Sequence, residues 1–244
     1  MIWFVVPAYN EERNIGRLIE RTNAYCEGRR LEYRMIVADD GSRDKTAEIV
    51  REKSNHFPVA LISYQPNQGV HEAFRRGFQE ALTAADGTDT IVTMEADGTA
   101  DFEILPVFIE KIRQGADGVV ASYYARGGAV EGTAWHRKIL SRAGNLVARI
   151  FLPIQGIHTY SSFYRIYRPS ALRDVLRRYG NFYEETGFSC VVELLYRLFK
   201  MGFKIEEVPM VLRGSARAGK SKMKVFQTIL GYLRIGVRCA TQNL

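Results

Sequence analysis

The chain has 244 residues, 46% hydrophobic and 25% charged. That suffices for one large domain with a real core and excludes disorder, collagen-like repeats and disulfide scaffolds. The net charge of +7 is concentrated: 27 basic residues balance 27 acidic ones over residues 1–207, while residues 208–244 hold seven basic residues and no Asp or Glu. A cationic segment on a neutral body implies an anionic partner held at one place, whether phosphate groups, an anionic membrane surface or nucleic acid. Cys26, Cys190 and Cys239, odd in number and widely spaced, suit a reducing compartment and lack metal-ligand spacing. The start, Met1 to Asn10, has neither the basic region nor the cleavage site of a signal peptide. No run of 18 apolar residues spans a bilayer.

Short apolar runs alternate with amphipathic stretches through the first half. Met1–Pro7 reads as a buried strand and Asn14–Cys26 as a helix, followed by a strand at Tyr33–Ala38 and a helix from about Asp44 to Lys53. Val59–Tyr64 and Gly69–Ala84 repeat the pair, as do Thr90–Met94 and Phe102–Arg113, and Gly118–Tyr124 is a fifth strand. This alternation predicts βαβ units: an α/β fold with a mostly parallel central sheet and helices on both faces. Ligands bind such sheets outside the carboxyl ends of the strands.

Those carboxyl ends carry the polar residues. Strand one runs into Pro7-Ala8-Tyr9-Asn10-Glu11-Glu12, strand two ends in Asp39-Asp40-Gly41-Ser42, and strand four ends in Glu95-Ala96-Asp97. Asp40, Ser42 and Asp44 are also good turn formers and caps, and capping is the better reading of Asp44. Capping does not account for Glu95 and Asp97, which follow a hydrophobic strand directly.

The second half is less regular. Trp135–Leu152 is amphipathic and basic, Phe163–Tyr167 a short strand, Glu185–Met201 a long helix, and Lys204–Leu212 an edge strand marked by Pro209. The Gly- and Ser-rich stretch 213–222 reads as a mobile basic loop. In Val225–Val237, Val225, Ile229 and Leu233 form one stripe with Phe226, Leu230 and Val237 beside it. Lys222, Lys224, Arg234 and Arg238 flank this helix, which suits either a membrane interface or packing on the core. His56 and His71 read as surface or helix-face residues without ligand spacing, His136 and His158 lie nearer the acceptor side without a catalytic role, and Cys190 reads as a small buried hydrophobe.

Val5-Val6-Pro7-Ala8-Tyr9-Asn10-Glu11 together with Asp39-Asp40-Gly41-Ser42-x-Asp44-x-Thr46 resembles the inverting GT-A glycosyltransferases of family 2. Asn67-Gln68-Gly69 and Glu95-Ala96-Asp97 fall at that family's later landmarks. Four further stretches resemble its polyprenyl-phosphate (dolichol-phosphate) mannosyltransferase group. They are Gly127-Gly128 with Glu131-Gly132, Arg137-Lys138 with Ser141-Arg142 and Asn145, Ser161-Ser162 with Arg165-x-Tyr167-Arg168, and Gly219-Lys220-Ser221-Lys222.

The resemblance implies a single GT-A domain over 1–244: a nucleotide-sugar half (1–125), an acceptor half (126–224) with the basic loop, and a C-terminal amphipathic helix (225–244). It implies a GDP- or UDP-sugar donor, with mannose favoured, held by Pro7, Tyr9, Glu11, Asp39, Asp40, Glu95, Ala96 and Asp97. Glu95 and Asp97 would carry Mg²⁺ or Mn²⁺ against the diphosphate, as hard oxygen ligands do. Asp97, Arg217, Ser221 and Lys222 would be catalytic, the last three offsetting the charge of a polyprenyl-phosphate acceptor. The implied setting is the cytoplasmic face of a membrane, reached peripherally by direct attachment or through a separate membrane partner protein.

An ionised phosphate acceptor needs no general base, whereas a hydroxyl acceptor does; Glu193 or the Glu184-Glu185 pair would then supply it. A transferase acting on a saccharide or small-molecule hydroxyl, and an inactive nucleotide-binding homologue, therefore stand as alternatives. A nucleic-acid partner does not fit, because no aromatics interleave with the basic tail. The chain departs from the family at Glu95 and Thr99 (usually Asp and Gln), Tyr123 (Arg), Val70-His71, Thr159 (Asp), Phe163 (Gly) and the position of Arg217. These departures bear on the sugar, the acceptor and the metal rather than on the fold.

Overall fold

The first strand, β1 (Ile2–Ala8), is apolar on both sides, so it is stable only where both faces of a sheet are covered. In the computed structural model, which describes residues 1–216 and 225–241, β1 lies inside a seven-stranded sheet. The other strands are β2 (Tyr33–Asp39), β3 (Val59–Ser63), β4 (Thr90–Thr93), β5 (Gly118–Ser122), β7 (Arg165–Tyr167) and β8 (Ile205–Pro209), and β6 (Ala129–Glu131) pairs with β9 (Val211–Arg213) in a separate ribbon. The order is β3-β2-β1-β4-β7-β5-β8, parallel except for β7, which runs antiparallel to both neighbours.

Alternate residues of β1 seed two cores. Phe4 and Val6 join α1 (Ile15–Gly28), α2 (Thr46–Ser54) and α4 (Leu105–Arg113) on one face. Trp3 and Val5 join α3 (Val70–Ala84), α5 (Trp135–Phe151), α6 (Pro169–Tyr179), α7 (Cys190–Lys200) and α8 (Val225–Thr241) on the other. Burying each such side chain contributes about 1.5–3 kcal/mol. The register Ala8↔Asp39 brings β1 and β2 to the same level, and Thr93↔Val5 starts the 94–97 loop beside them. The three acidic loops therefore meet on one rim, as expected from the sequence.

Several elements differ from the sequence reading. The segment expected to be one strand over Lys204–Leu212 is two: β8 holds the sheet edge, and the chain turns at buried Met210, whose N–H donates to Ser122 O at 2.9 Å, before β9 pairs elsewhere. The long helix expected from Glu185 starts only at Cys190, because Gly187 sits at φ +65° and cannot extend a right-handed helix. Helix α6 was not anticipated, although Pro169 at its first turn and left-handed Gly180 at its end are helix punctuation.

Arginines fix the second half at two places. Arg165 is wholly buried, and its guanidinium donates to the carbonyls of Ser162, Val191 and Tyr160, at 2.6, 2.5 and 2.5 Å. It thereby ties β7 to the turn before it and to the start of α7. Helix α8 is clasped onto α7 by charge: Arg238 pairs with Glu184, Glu185 and Glu193, Arg234 with Glu185, and Arg197 with Glu193.

Candidate active site

Three successive amides of the β1 loop are received by three side chains of the β2 loop. Asn10 N–H donates to Ser42 Oγ at 2.8 Å, Glu11 N–H to Thr46 Oγ1 at 2.8 Å and Glu12 N–H to Asp44 Oδ2 at 3.1 Å. The Ser-x-Asp-x-Thr spacing is thus a stitch between loops. Asp44 also accepts from Thr46 N–H at 2.9 Å, close to the capping role expected of it. Asp40 is a clamp: its buried carboxylate accepts from Gln68 N–H, Gly69 N–H and Asn67 Nδ2, at 2.7, 2.8 and 2.8 Å. Gly41 between the two loops has φ +71°, and a Cβ there would lie 2.8 Å from Asn67 N, so only glycine fits.

These loops wall a cavity of about 990 Å³ at the carboxyl ends of the strands. Of the eight residues expected to hold the donor, Pro7, Tyr9, Glu11, Asp40, Glu95, Ala96 and Asp97 line it. Asp39 does not: it is buried beneath, accepting from Ser42 N–H at 3.2 Å and Ser63 Oγ at 2.9 Å. Arg217, Ser221 and Lys222 lie outside the described residues, as does most of the basic loop. The opposite wall was not anticipated. It comprises Phe163 stacked on Phe188 at 5.3 Å, the 186–188 turn, and Gln227, Leu230 and Arg234 of α8.

That turn is held by His71, whose sequence neighbourhood carries no ligand spacing. Its Nδ1 accepts from Gly187 N–H at 3.2 Å and its carbonyl from Tyr183 Oη at 2.6 Å. Burial, helped by Arg75 and opposed by Glu72 and Asp40, holds its pKa below the ordinary value, so the ring stays neutral and Nδ1 stays an acceptor.

Glu95 and Asp97 both face the cavity, and Asp97 Oδ1 is fixed by Thr99, whose N–H and hydroxyl donate at 3.0 and 2.6 Å. Thr99 therefore has a definite task at a position where the family pattern has Gln. Two hard carboxylates facing one cavity suit Mg²⁺ or Mn²⁺. Among the described residues no group of three His, Cys, Asp or Glu forms a metal cage, so substrate phosphates and water would complete the ligand set.

The departures at Tyr123 and Thr159 belong to one neutral hydroxyl network. Ser122 Oγ meets Thr159 Oγ1 at 2.8 Å, Tyr123 Oη meets Ser161 Oγ at 2.7 Å, and Tyr124 Oη donates to Ser141 Oγ at 2.9 Å. Burial pushes the Tyr123 phenol up to about 12, so it remains protonated. Where the family pattern has a cation at 123 and an anion at 159, this chain has two neutral hydroxyl groups.

The three carboxylates expected from the sequence as candidates for a general base are engaged elsewhere. Glu193 is 1% exposed; Oε2 accepts from Glu184 N–H and Glu185 N–H at 3.0 and 2.7 Å, and Oε1 from Arg197 at 2.7 Å. Glu185 is paired with Arg234 and Arg238, and Glu184 with Arg238. None of the three lines the cavity.

Helix α8 takes the core-packing setting on one side. Tyr232 and Ile235 are buried against the core, whereas Phe226 and Val237 are exposed. Among the described residues no helix is long and apolar enough to cross a membrane.

The family model described as glycosyl transferase family 2 matches residues 3–176. A dolichol-phosphate mannosyltransferase of Pyrococcus furiosus is 34% identical over 231 residues, covering 94% of this chain and 61% of that protein. An undecaprenyl-phosphate mannosyltransferase of Micrococcus luteus is 28% identical over 244 residues, covering 98% of this chain and 96% of its own length. This chain thus spans about three fifths of the first relative and nearly all of the second. Among solved structures, glucosyl-3-phosphoglycerate synthase from Mycobacterium tuberculosis, in complex with Mn²⁺ and UDP-glucose, superposes with a TM-score of 0.68 at 19% identity, over 97% of this chain and 79% of that one. That likeness shows the GT-A fold.

Proposed function

The chain belongs to glycosyl transferase family 2, and from that premise we propose that it is an inverting transferase moving a hexose from a nucleotide-diphospho-sugar to a polyprenyl phosphate. Mannose is the favoured sugar, on GDP or UDP, since the two lipid-phosphate relatives are named as mannosyltransferases. The nucleoside would lie against Pro7, Tyr9, Glu11 and Asp40, with Asp39 supporting the floor, and the diphosphate at Glu95, Ala96 and Asp97. A divalent Mg²⁺ or Mn²⁺ on Glu95 and Asp97 would neutralise the charge that develops on the leaving diphosphate.

The acceptor phosphate oxygen attacks the anomeric carbon as the bond to the nucleoside diphosphate breaks, giving a glycosyl phosphodiester with inverted configuration. Arg217, Ser221 and Lys222 are assigned to orient the acceptor phosphate and offset its repulsion from the diphosphate, and Arg234 lines the cavity. The observation that carries the phosphate acceptor is the engagement of Glu184, Glu185 and Glu193 with arginines. These three are the bases that the sequence offers outside the donor site for a hydroxyl acceptor, whereas a phosphate is already ionised at neutral pH and needs none. The division at 125 and 224 follows: the donor on the first half, the acceptor on the second, and α8 at the mouth between them. Work at the cytoplasmic membrane face, peripheral and with or without a membrane partner, completes the proposal.

The test is transfer of radiolabelled sugar from GDP-mannose, and in parallel from UDP-glucose, into an organic-extractable polyprenyl phosphate with and without Mn²⁺. Metal-dependent product that disappears in Asp97→Ala and Lys222→Ala supports the assignment. Tight binding of GDP or UDP without any lipid product from either donor overturns it.

A further inference from the structure

Phe163 stands where the family pattern has Gly, so a ring fills space that a glycine leaves open. That ring is 4% exposed and packs against two others. Phe74 meets it edge-on, with centroids 5.1 Å apart at 81°, and Phe188 lies nearly parallel to it, at 5.3 Å and 15°. Both are arrangements that aromatic quadrupoles favour, so the three rings brace one another. Phe74 is wholly buried, whereas Phe188 is only partly buried, and both Phe163 and Phe188 line the cavity. The backbone is tied down as well. Thr93 Oγ1 donates to the Phe163 carbonyl at 2.6 Å, and Gly187 N–H donates to His71 Nδ1 at 3.2 Å. Phe188 is thus a partly open ring on the cavity wall, held by Phe163 through its face and by His71 through the preceding residue.

The sheet order says which part of a bound donor would reach this ring. Along β2-β1-β4-β7, the residues assigned to the nucleoside follow β1 and β2, and those assigned to the diphosphate follow β4. Phe163 comes next, two residues before β7 begins at Arg165, and its partner Thr93 is two residues before Glu95. The group bonded to the far phosphate is the sugar, and in that direction it meets the aromatic wall.

We propose that Phe188 stacks on the C–H face of the donor's pyranose ring and that Phe163 is the positioning residue that holds it there. The inference rests on the nucleotide-sugar reading of the cavity and deepens it. A phenyl ring offers no hydrogen bond, but its negative face attracts the weakly positive C–H groups of a pyranose. Leu230 of α8, on the same wall, likewise has no polar group. The sugar is therefore recognised on this side by shape and apolar contact, and its hydroxyls are read from the other sides. The stack also depends on two residues at once: with glycine at 163, Phe188 would lose the ring on which it rests.

The experiment needs no acceptor. Isothermal titration calorimetry with Mn²⁺ gives the Kd of GDP-mannose and of GDP, and in parallel of UDP-glucose and of UDP. The quantity read is the Kd of the nucleotide-sugar divided by that of its nucleoside diphosphate. Phe188→Leu keeps apolar volume without the ring and should raise that ratio about tenfold, leaving the nucleoside diphosphate within about twofold of wild type. Phe188→Tyr, which keeps the ring, should hold the wild-type ratio. Phe163→Leu should raise the ratio about threefold through the loosened Phe188. Circular dichroism establishes that each variant is folded, and the Phe188 pair decides the matter if Phe163→Leu is not.

A ratio unchanged in Phe188→Leu overturns the proposal, as does an equal loss of affinity for nucleotide-sugar and nucleoside diphosphate. An unchanged ratio with a KM for polyprenyl phosphate raised tenfold also overturns it, because the ring then serves the first isoprene unit of the acceptor. Transfer to polyprenyl phosphate separates this inference from the proposed function. If the transferase reading alone fails, wild type gives no lipid product while Phe188→Leu still raises the ratio. If the stacking alone fails, lipid product forms and the ratio does not move. Absence of any nucleotide-sugar binding by wild type overturns both.

Discussion

Replacing Glu193 by Gln separates a structural carboxylate from a catalytic one. Its Oε2 receives two peptide N–H groups and Arg238, and its Oε1 receives Arg197, whose side chain is 1% exposed. Glutamine has one oxygen, so in either orientation its NH₂ faces donors: Arg197, or the paired amides of Glu184 and Glu185. Breaking one side of a buried pair costs about 3–5 kcal/mol. The remaining contact of Arg197 with Glu184 at 3.4 Å favours the lower end, about 3 kcal/mol. For a chain of this size that lowers Tm by about 6–12 °C. Thermal unfolding followed by circular dichroism reads the shift. Transfer assayed well below the lowered Tm should stay within about threefold of wild type. A Tm within 2 °C of wild type together with a kcat loss beyond a hundredfold would return Glu193 to the role of general base.

Lowering the pH should loosen the wall held by His71. Its folded pKa lies below the ordinary 6.5, so the unfolded chain takes up the proton first. That contribution to stability is complete above about pH 6.5 and declines below it, and the urea midpoint should fall between pH 7.5 and 5.5. His71→Asn should flatten that slope, and an unchanged slope in the variant would contradict the assignment. Thr99→Val removes a hydroxyl that donates to Asp97 Oδ1 at 2.6 Å and should raise the Mn²⁺ concentration for half-maximal transfer about tenfold or more; an unaltered titration would dissociate Thr99 from the metal. In Gly77→Ala the new Cβ would lie 2.4 Å from Val5 Cγ1, on a stiff β-branched residue of β1. The expected cost is about 1–3 kcal/mol in urea unfolding, and a neutral result would mean that α3 lifts from the sheet without strain.

What the sequence made legible was local. The β1, β2 and β4 runs and the acidic residues after them are contiguous, and parallel register carries them to one rim without further information. The same locality explains what stayed hidden. Asp40 reads as a ligand-facing carboxylate, yet its partners at Asn67, Gln68 and Gly69 are more than 25 residues away, and only folding reveals the clamp. Glu193 and its arginines are spread over α7 and α8, so its candidacy as a base could not be discounted from spacing. His71 faces Gly187 across 116 residues. The strand pattern at Lys204–Leu212 continued through Met210, where tertiary hydrogen bonding to Ser122 redirects the chain. Helix α6 carries its signals locally, in Pro169 at its start and Gly180 at its end.

The central claim is the phosphate acceptor, and the most direct measurement sets polyprenyl phosphate against the corresponding free polyprenol under one donor, GDP-mannose, with Mn²⁺ present. The expected result is radiolabel in the phosphate lipid and none in the alcohol, with transfer retained by a Glu193→Gln protein that is still folded. Transfer to the polyprenol or to a saccharide hydroxyl, with none to the phosphate, would contradict it.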